Sequence, residues 1–269
     1  MSREAGSGGT GQSFKRRCKD DPPQLGCWLN LASPLAAELL ASCGYDCVII
    51  DREHSPADLT AALGMLHAAR AAGCAVLLRV PANDAAEIKW AADLGVDGIM
   101  VPQVESADDA RRAAEAAYYA PAGRRGMAPG AVRASRFGMD RSYVAEAAGR
   151  LLLMCQIETP AGAEAVPEIA AVPGVDLLFV GPYDFSAGLG HPGEPDHPQV
   201  RTRIEAIETA CRAARIAIGG IPTPGRSARD LIDAGYALIL CGSDVGFLRD
   251  GARAQLDGLA RAHTAARRQ

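Results

Sequence analysis

The sequence predicts an α/β protein, a (β/α)8 barrel of the TIM type, on three observations. Short runs rich in Val, Ile and Leu alternate with longer alanine-rich segments of helical period along most of the 269 residues. The runs are apolar throughout, which marks strands buried on both faces, as in a parallel sheet covered by helices. Eight such runs occur, each followed by a helical segment, and eight is the count that closes a barrel. A doubly wound open sheet is the rival. It usually has fewer strands, and no GxGxxG follows the first run here.

In chain order, LGCWLNL (25–31) leads into PLAAELLASCG, CVIID (47–51) into SPADLTAALGMLHAARAAG, AVLLRV (75–80) into DAAEIKWAADLG, and GIMV (98–101) into SADDARRAAEAAYYA. The second half repeats the scheme. LLLMCQI (151–157) precedes PAGAEAVPEIAAV, DLLFVG (176–181) a longer segment through RTRIEAIETACRAAR, IAIGGI (216–221) SARDLIDAG, and ALILCG (237–242) the last helix, DVGFLRDGARAQLDGLARAH. Ser33-Pro34, Ser55-Pro56 and Ser106 read as helix starts, and Gly44, Gly73, Gly95 and Gly235 as helix stops. Residues 120–150 contain no apolar strand and read as an ordered loop with a short helix, long enough to be functional. Residues 1–24 are rich in Gly and Ser with mixed charges and are predicted disordered, leaving 25–269 as one barrel domain. Within that lead, KRRCK (15–19) is either a basic docking patch or, preferably, a solvated tail.

A net charge of −4 gives no reason to expect nucleic acid or anionic membrane as a partner. No apolar run approaches the roughly 20 residues that span a bilayer. The N-terminus has basic residues but no apolar core, so it does not read as a secretory signal. The eight cysteines include no CxxC pair and lie mostly in or beside apolar runs. Reduced thiols and a cytoplasmic location are therefore expected.

In such barrels the chemistry lies at the C-terminal ends of the strands. Run 2 ends in Asp51, with Glu53 and His54 directly after it; run 3 ends near Arg79; run 5 ends in Gln156, Ile157 and Glu158; run 6 leads into GPYDFS and presents Asp184. Glu158 and Asp184, from neighbouring strands, would repel unless a divalent cation such as Mg²⁺ or Mn²⁺ sat between them. Alternatively each caps the helix that follows it. Arg79, at the end of an apolar strand, needs an anion or a developing negative oxygen, or else an ion pair with Asp51 or Glu53. His54 beside acids suits a general base, or is a surface histidine. His67, His191, His197 and His263 are expected to be structural or solvated. Only Lys15, Lys19 and Lys89 occur, none on a strand, so Schiff-base chemistry has no candidate. The glycines of IGGIPTPG and LCGSDVG serve either phosphate binding or tight barrel turns.

GYDCVIIDREHSP, LLRV, PAGRRGMAPGAVRASRFG, QIETP, GVDLLFVGPYDFSAGLGH and CGSDVGFL, in this order over about residues 25–255, resemble the HpcH/HpaI family of metal-dependent, class II pyruvate aldolases. The resemblance implies a barrel that exchanges its last helix with a neighbour, in a homohexamer of paired subunits. It implies a carbon–carbon lyase that converts 4-hydroxy-2-oxo acids to pyruvate and an aldehyde, and back, through an enolate stabilised by Mg²⁺, Mn²⁺ or Co²⁺. By the family's pattern Glu158 and Asp184 hold the metal, and Gln156 lies beside the bound oxo acid. Arg79 steadies the keto oxygen, the Asp51–His54 pair moves the hydroxyl proton, and backbone N–H groups near Tyr183 and Asp184 take the carboxylate. The chain departs from many relatives in having Arg52, a bulky cation expected beside the base, and in Tyr183, expected to reshape the pocket. A divergent activity therefore stands as the alternative, one that decarboxylates oxaloacetate and forms a new carbon–carbon bond. A non-catalytic oxo-acid-binding barrel is the third.

Overall fold

A computed structural model describes residues 12–266. Eight strands close a barrel in sequence order with every neighbouring pair parallel, as predicted: β1 (Gln24–Leu29), β2 (Cys47–Asp51), β3 (Ala75–Arg79), β4 (Gly98–Val101), β5 (Leu152–Ile157), β6 (Leu177–Val180), β7 (Ala217–Gly220) and β8 (Leu238–Ser243). The helices are α1 (Phe14–Asp20), α2 (Pro34–Ser42), α3 (Leu59–Ala71), α4 (Ala85–Leu94), α5 (Ala107–Ala117), α6 (Tyr143–Arg150), α7 (Pro160–Glu164), α8 (Val166–Ala170), α9 (Pro182–Gly188), α10 (Pro198–Ala214), α11 (Ala228–Asp233) and α12 (Asp244–Ala266).

The period of two along each strand divides the buried residues into two clusters. Val48, Ile50, Val76, Leu78, Leu153 and Cys155 pack outward against the helices. Cys47, Ile49, Ala75, Leu77, Leu152, Met154, Leu177 and Phe179 fill the barrel interior. The parity then dictates where the polar strand ends point. Asp51 continues the inward set Cys47–Ile49, Arg79 continues Ala75–Leu77, and Gln156 continues Leu152–Met154. Register across β2 and β3 pairs Asp51 directly with Arg79.

Two local expectations are corrected. Within the predicted disordered lead, Phe14–Asp20 is a helix, with Ser13 as its N-cap. Phe14 and Cys18, one turn apart, join the interior cluster with the strand starts and close the N-terminal end of the barrel. Lys15 adds an ion pair to Asp176 at 2.8 Å. Burial of those two apolar residues outweighs the local charge that suggested disorder; residues 1–11 lie outside the described residues. The helix predicted from Ser55-Pro56 starts instead at Leu59, where the Asp58 carboxylate accepts the Ala61 N–H at 2.7 Å. The Ser55 hydroxyl instead closes the preceding turn, donating to the Asp51 carbonyl and accepting the Ala57 N–H at 3.2 Å, two residues before the helix begins. Ser33 and Ser106 do cap α2 and α5, and Gly44, Gly73, Gly95 and Gly235 all have positive φ. The 120–150 segment is ordered, with a short 3₁₀ turn at Arg133–Ser135 followed by α6. Buried Arg125 organises it, paired to Asp93 at 2.6 Å and lying over the Tyr119 ring at 4.4 Å.

Candidate active site

At the C-terminal mouth, Asp51, Arg79, Gln156 and Glu158 are 0, 6, 3 and 4 % exposed, so the barrel holds four polar groups in a nearly dry setting. Arg79 grips Asp51 with both prongs of its fork, Nε to Oδ1 at 2.9 Å and Nη2 to Oδ2 at 2.8 Å. Its Nη1 pairs with Glu53 Oε2 at 2.9 Å, and the guanidinium lies over the Trp28 ring at 4.4 Å. Asp51 also accepts from Asn30 Nδ2 at 2.7 Å and from the backbone N–H groups of Glu53 and His54 at 3.0 and 3.3 Å. Burial pushes the Asp51 carboxyl up, but the Arg79 hydrogen bonds and charge and the two backbone N–H groups outweigh it, holding it below the usual carboxylate range.

This occupancy alters the expected Asp51–His54 pair. Asp51 receives the His54 backbone N–H, not the imidazole, because Arg79, Asn30 and two amides already fill its oxygens. The imidazole is on the rim, 61 % exposed, with Nε2 3.8 Å from Glu53 Oε2. Glu53 is thus the acid nearest the ring. Its Oε2 meets Arg79 Nη1 as an ion pair without an aligned hydrogen bond, and burial, despite the charges of Arg79 and His54, raises its carboxyl.

Glu158 accepts the Gln103 N–H at 2.8 Å and the Gln156 Nε2 donor. Burial pushes its carboxyl up to about 7; the Gln103 N–H and Arg79 oppose this, and the charges of Glu53 and Asp184 add to it. Thr159, not Glu158, caps α7, and Asp184 lies inside the first turn of α9 without a capping bond, so the helix-capping alternative fails for both. Gly181 leaves room for these two side chains: a Cβ there would come within 2.9 Å of both Gln156 Nε2 and Glu158 Oε2 and displace them. Gln103 takes φ 53°, an uncommon conformation for a residue with a Cβ, and so aims its N–H at Glu158.

The donor set fits a divalent cation. Glu53, Glu158 and Asp184 interact electrostatically, while Arg79, the cation that faces them, is already engaged by Asp51. Gln156 Oε1 is buried without a partner. All available donors are oxygens, the set that hard cations prefer.

Arg52, expected beside the base, instead reaches α4, where it pairs with Glu87 and donates Nε to Ala57 O at 3.4 Å. It ties down the turn that carries Glu53 and His54. Tyr183 is 45 % exposed beside Asp184. The β7 and β8 glycines serve close packing: a Cβ on Gly219 would meet Phe179 at 2.8 Å, and one on Gly242 would meet Phe247 at 2.6 Å. Sequence reasoning missed Asn30, the polar residue directly after β1, so the same strand-end rule would have found it. Glu53, expected at the strand end as an ion-pair partner for Arg79, also proves to be the acid beside His54. Trp28 and Gln103 carry no local signal.

Comparison with known proteins agrees with this architecture. The family model described as HpcH/HpaI aldolase/citrate lyase matches residues 24–251. A hydroxypyruvate/pyruvate aldolase of Paraburkholderia phytofirmans is 42 % identical over 238 residues, covering 86 % of this chain and 91 % of that protein. A 4-hydroxy-2-oxo-heptane-1,7-dioate aldolase of Shigella sonnei is 37 % identical over 242 residues, covering 90 % of this chain and 92 % of that one. The crystal structure of an HpcH/HpaI aldolase/citrate lyase family protein from Burkholderia cenocepacia superimposes with a TM-score of 0.87 at 39 % identity, covering 92 % of this chain and 98 % of that chain. With its closed parallel barrel and its acid-rich mouth, the chain belongs to the HpcH/HpaI aldolase/citrate lyase family.

Proposed function

We propose that the protein is a divalent-metal-dependent aldolase that cleaves 4-hydroxy-2-oxo acids to pyruvate and an aldehyde and catalyses the reverse addition. The observation that carries this reading is the mouth itself, where Glu158 is pushed up to about 7 by burial while Glu53 and Asp184 crowd it with like charge. Glu158 and Asp184 would hold the cation with Gln156 beside it; bound there, Mg²⁺, Mn²⁺ or Co²⁺ supplies Lewis acidity toward the oxygens of a 2-oxo acid. Arg79 directs two of its five N–H groups at Asp51 and a third nitrogen at Glu53, which leaves donors for the keto oxygen as it gains charge. Trp28 and the two acids hold that guanidinium in place before substrate arrives. His54, at the rim, takes the hydroxyl proton, and Glu53 stabilises the imidazolium that results. The first turn of α9 has no side-chain cap, so the N–H groups of Tyr183 and Asp184 are offered to the substrate carboxylate.

The aldolase names of relatives at 37 and 42 % identity favour cleavage over the decarboxylating alternative. The base next to a cation site argues against a binding-only barrel. A homohexamer that exchanges α12 between subunits accounts for a further feature. Phe247, Leu248, Leu256 and Leu259 on α12 and Leu35 and Leu39 on α2 are exposed, more apolar surface than single helices usually leave in water. A cytoplasmic location fits the cysteines, free in the described chain, six of them with thiols pushed well up by burial. No helix among the described residues is long and apolar enough to cross a membrane. The test is pyruvate release from a 4-hydroxy-2-oxo acid, together with exchange of the pyruvate methyl protons. Chelator should abolish both and Mg²⁺, Mn²⁺ or Co²⁺ restore them; full activity in excess chelator refutes the proposal.

A further inference from the structure

The loop joining α9 to α10 brings together three side chains that the proposed reaction does not use. His191, Glu194 and His197 each offer one ligand atom, and those atoms lie within 4.8 Å of one another. In sequence they are spaced His-x₂-Glu-x₂-His, within GHPGEPDHP. As isolated histidines in a Pro/Gly-rich loop, two of them read from sequence as structural or solvated. Backbone turns produce the convergence. The His191 N–H donates to Ser186 O at 2.8 Å, the Glu194 N–H to His191 O at 3.0 Å, and the His197 N–H to Glu194 O at 3.1 Å. The last two turns each advance three residues and return the next side chain to the same side. Gly190 and Gly193, at φ 85° and 80°, permit the path. Asp196 anchors it, accepting the Thr223 hydroxyl and the Gly225 N–H.

The two imidazoles stack with centroids 3.5 Å apart and planes at 17°. His191 Nε2 lies 3.1 Å from Gln199 Oε1; as the donor in that bond it keeps its proton and leaves the Nδ1 lone pair free, the outer-shell arrangement that metal-binding histidines use. His197 Nδ1 accepts the Gln199 N–H at 3.3 Å as the N-cap of α10, a long bond that coordination at this ring would trade away. The exposed Glu194 carboxylate has no hydrogen bond or ion pair among the described residues. Ligands about 2.0–2.2 Å from a tetrahedral ion stand about 3.4 Å apart, so side-chain rotation is enough to close the set.

We propose that His191, Glu194 and His197 form a second metal site, distinct from the barrel mouth, that clasps the α9–α10 loop. Two imidazole nitrogens and one carboxylate oxygen are a borderline donor set suited to Zn²⁺ or Co²⁺, whereas the all-oxygen mouth suits harder ions. Because α9 carries Asp184, the clasp would stiffen the segment behind the mouth.

The test uses the full-length, untagged protein with Co²⁺ and Zn²⁺ as probes, read by equilibrium dialysis and by the visible absorption of bound Co²⁺. The double variant Glu158→Gln/Asp184→Asn should retain one ion per chain. In that background His191→Phe, which keeps a stacked ring, and His197→Ser, which keeps an N-cap oxygen, should each weaken retention by more than the roughly 10–100-fold that loss of an outer-shell partner costs. No ion held by the double variant, or undiminished binding in both histidine variants, overturns the proposal. If the barrel-mouth assignment is the one that fails, the otherwise unmodified protein still binds one ion, sensitive to His191→Phe and indifferent to Glu158→Gln.

Discussion

Replacing Glu158 with Gln should make the metal-free protein more stable above pH 7, although it removes a proposed ligand. The structure supplies the magnitude. The Glu158 carboxyl rises from its ordinary 4.5 to about 7, first because it is buried and then because Glu53 and Asp184 face it. A carboxyl raised on folding binds more protons in the native state than in the unfolded state between those two values, so its contribution to stability falls as pH rises through that window. Each pH unit of that interval is worth about 1.4 kcal/mol, so the full penalty above pH 7 is on the order of 3 kcal/mol. The amide of the variant would keep an acceptor for the Gln103 N–H without the charge. For a domain of this size the gain corresponds to roughly 6–12 °C in the melting temperature. The assay is urea and thermal unfolding of both proteins in chelator, from about pH 3.5 to 8.5, a range that brackets both values. The two should be close at the acid end and diverge as pH rises. Added Mg²⁺ or Mn²⁺ should then stabilise the protein with Glu158 and leave the variant unchanged. A difference independent of pH would refute the crowded carboxylate. Equal stabilisation of both proteins by the cation would refute Glu158 as its ligand.

Other perturbations probe the remaining assignments. His54→Asn should lower cleavage of a hydroxy-oxo acid about 10²–10⁴-fold, the usual contribution of a general base. It should slow decarboxylation of oxaloacetate, which has no such hydroxyl proton to lose, far less; an equal loss in both assays would remove His54 from that role. Gly181→Ala introduces a Cβ 2.9 Å from Gln156 Nε2 and Glu158 Oε2, so cation affinity measured by titration should fall while the fold persists; unchanged affinity would place the cation elsewhere. Phe14→Ala should cost about 3–5 kcal/mol in urea unfolding, because the ring fills the closed end of the barrel. No change in midpoint would mean that α1 is an appendage.

Much of the site could be read from the sequence because strand parity is local. Alternation along CVIID, AVLLR and LLMCQI places Asp51, Arg79 and Gln156 on the inward face of β2, β3 and β5, and eight such runs allow barrel closure. The partner that each polar group takes is not local. It depends on register between strands and on competition for a few lone pairs. Asp51 stands opposite Arg79, and with Asn30 and two amides as further donors it has no lone pair left for the His54 imidazole, which falls to Glu53. Arg52 finds Glu87, 35 positions along, and so turns away from the base. The same limit applies to α1, whose charged sequence hides two residues that only the closed barrel end can bury, and to His191, Glu194 and His197, which only successive turns of the loop bring together. Periodicity in the sequence determined the barrel and which residues face its mouth; tertiary packing alone decided which of them touch, because contact depends on distances between segments that no local pattern encodes.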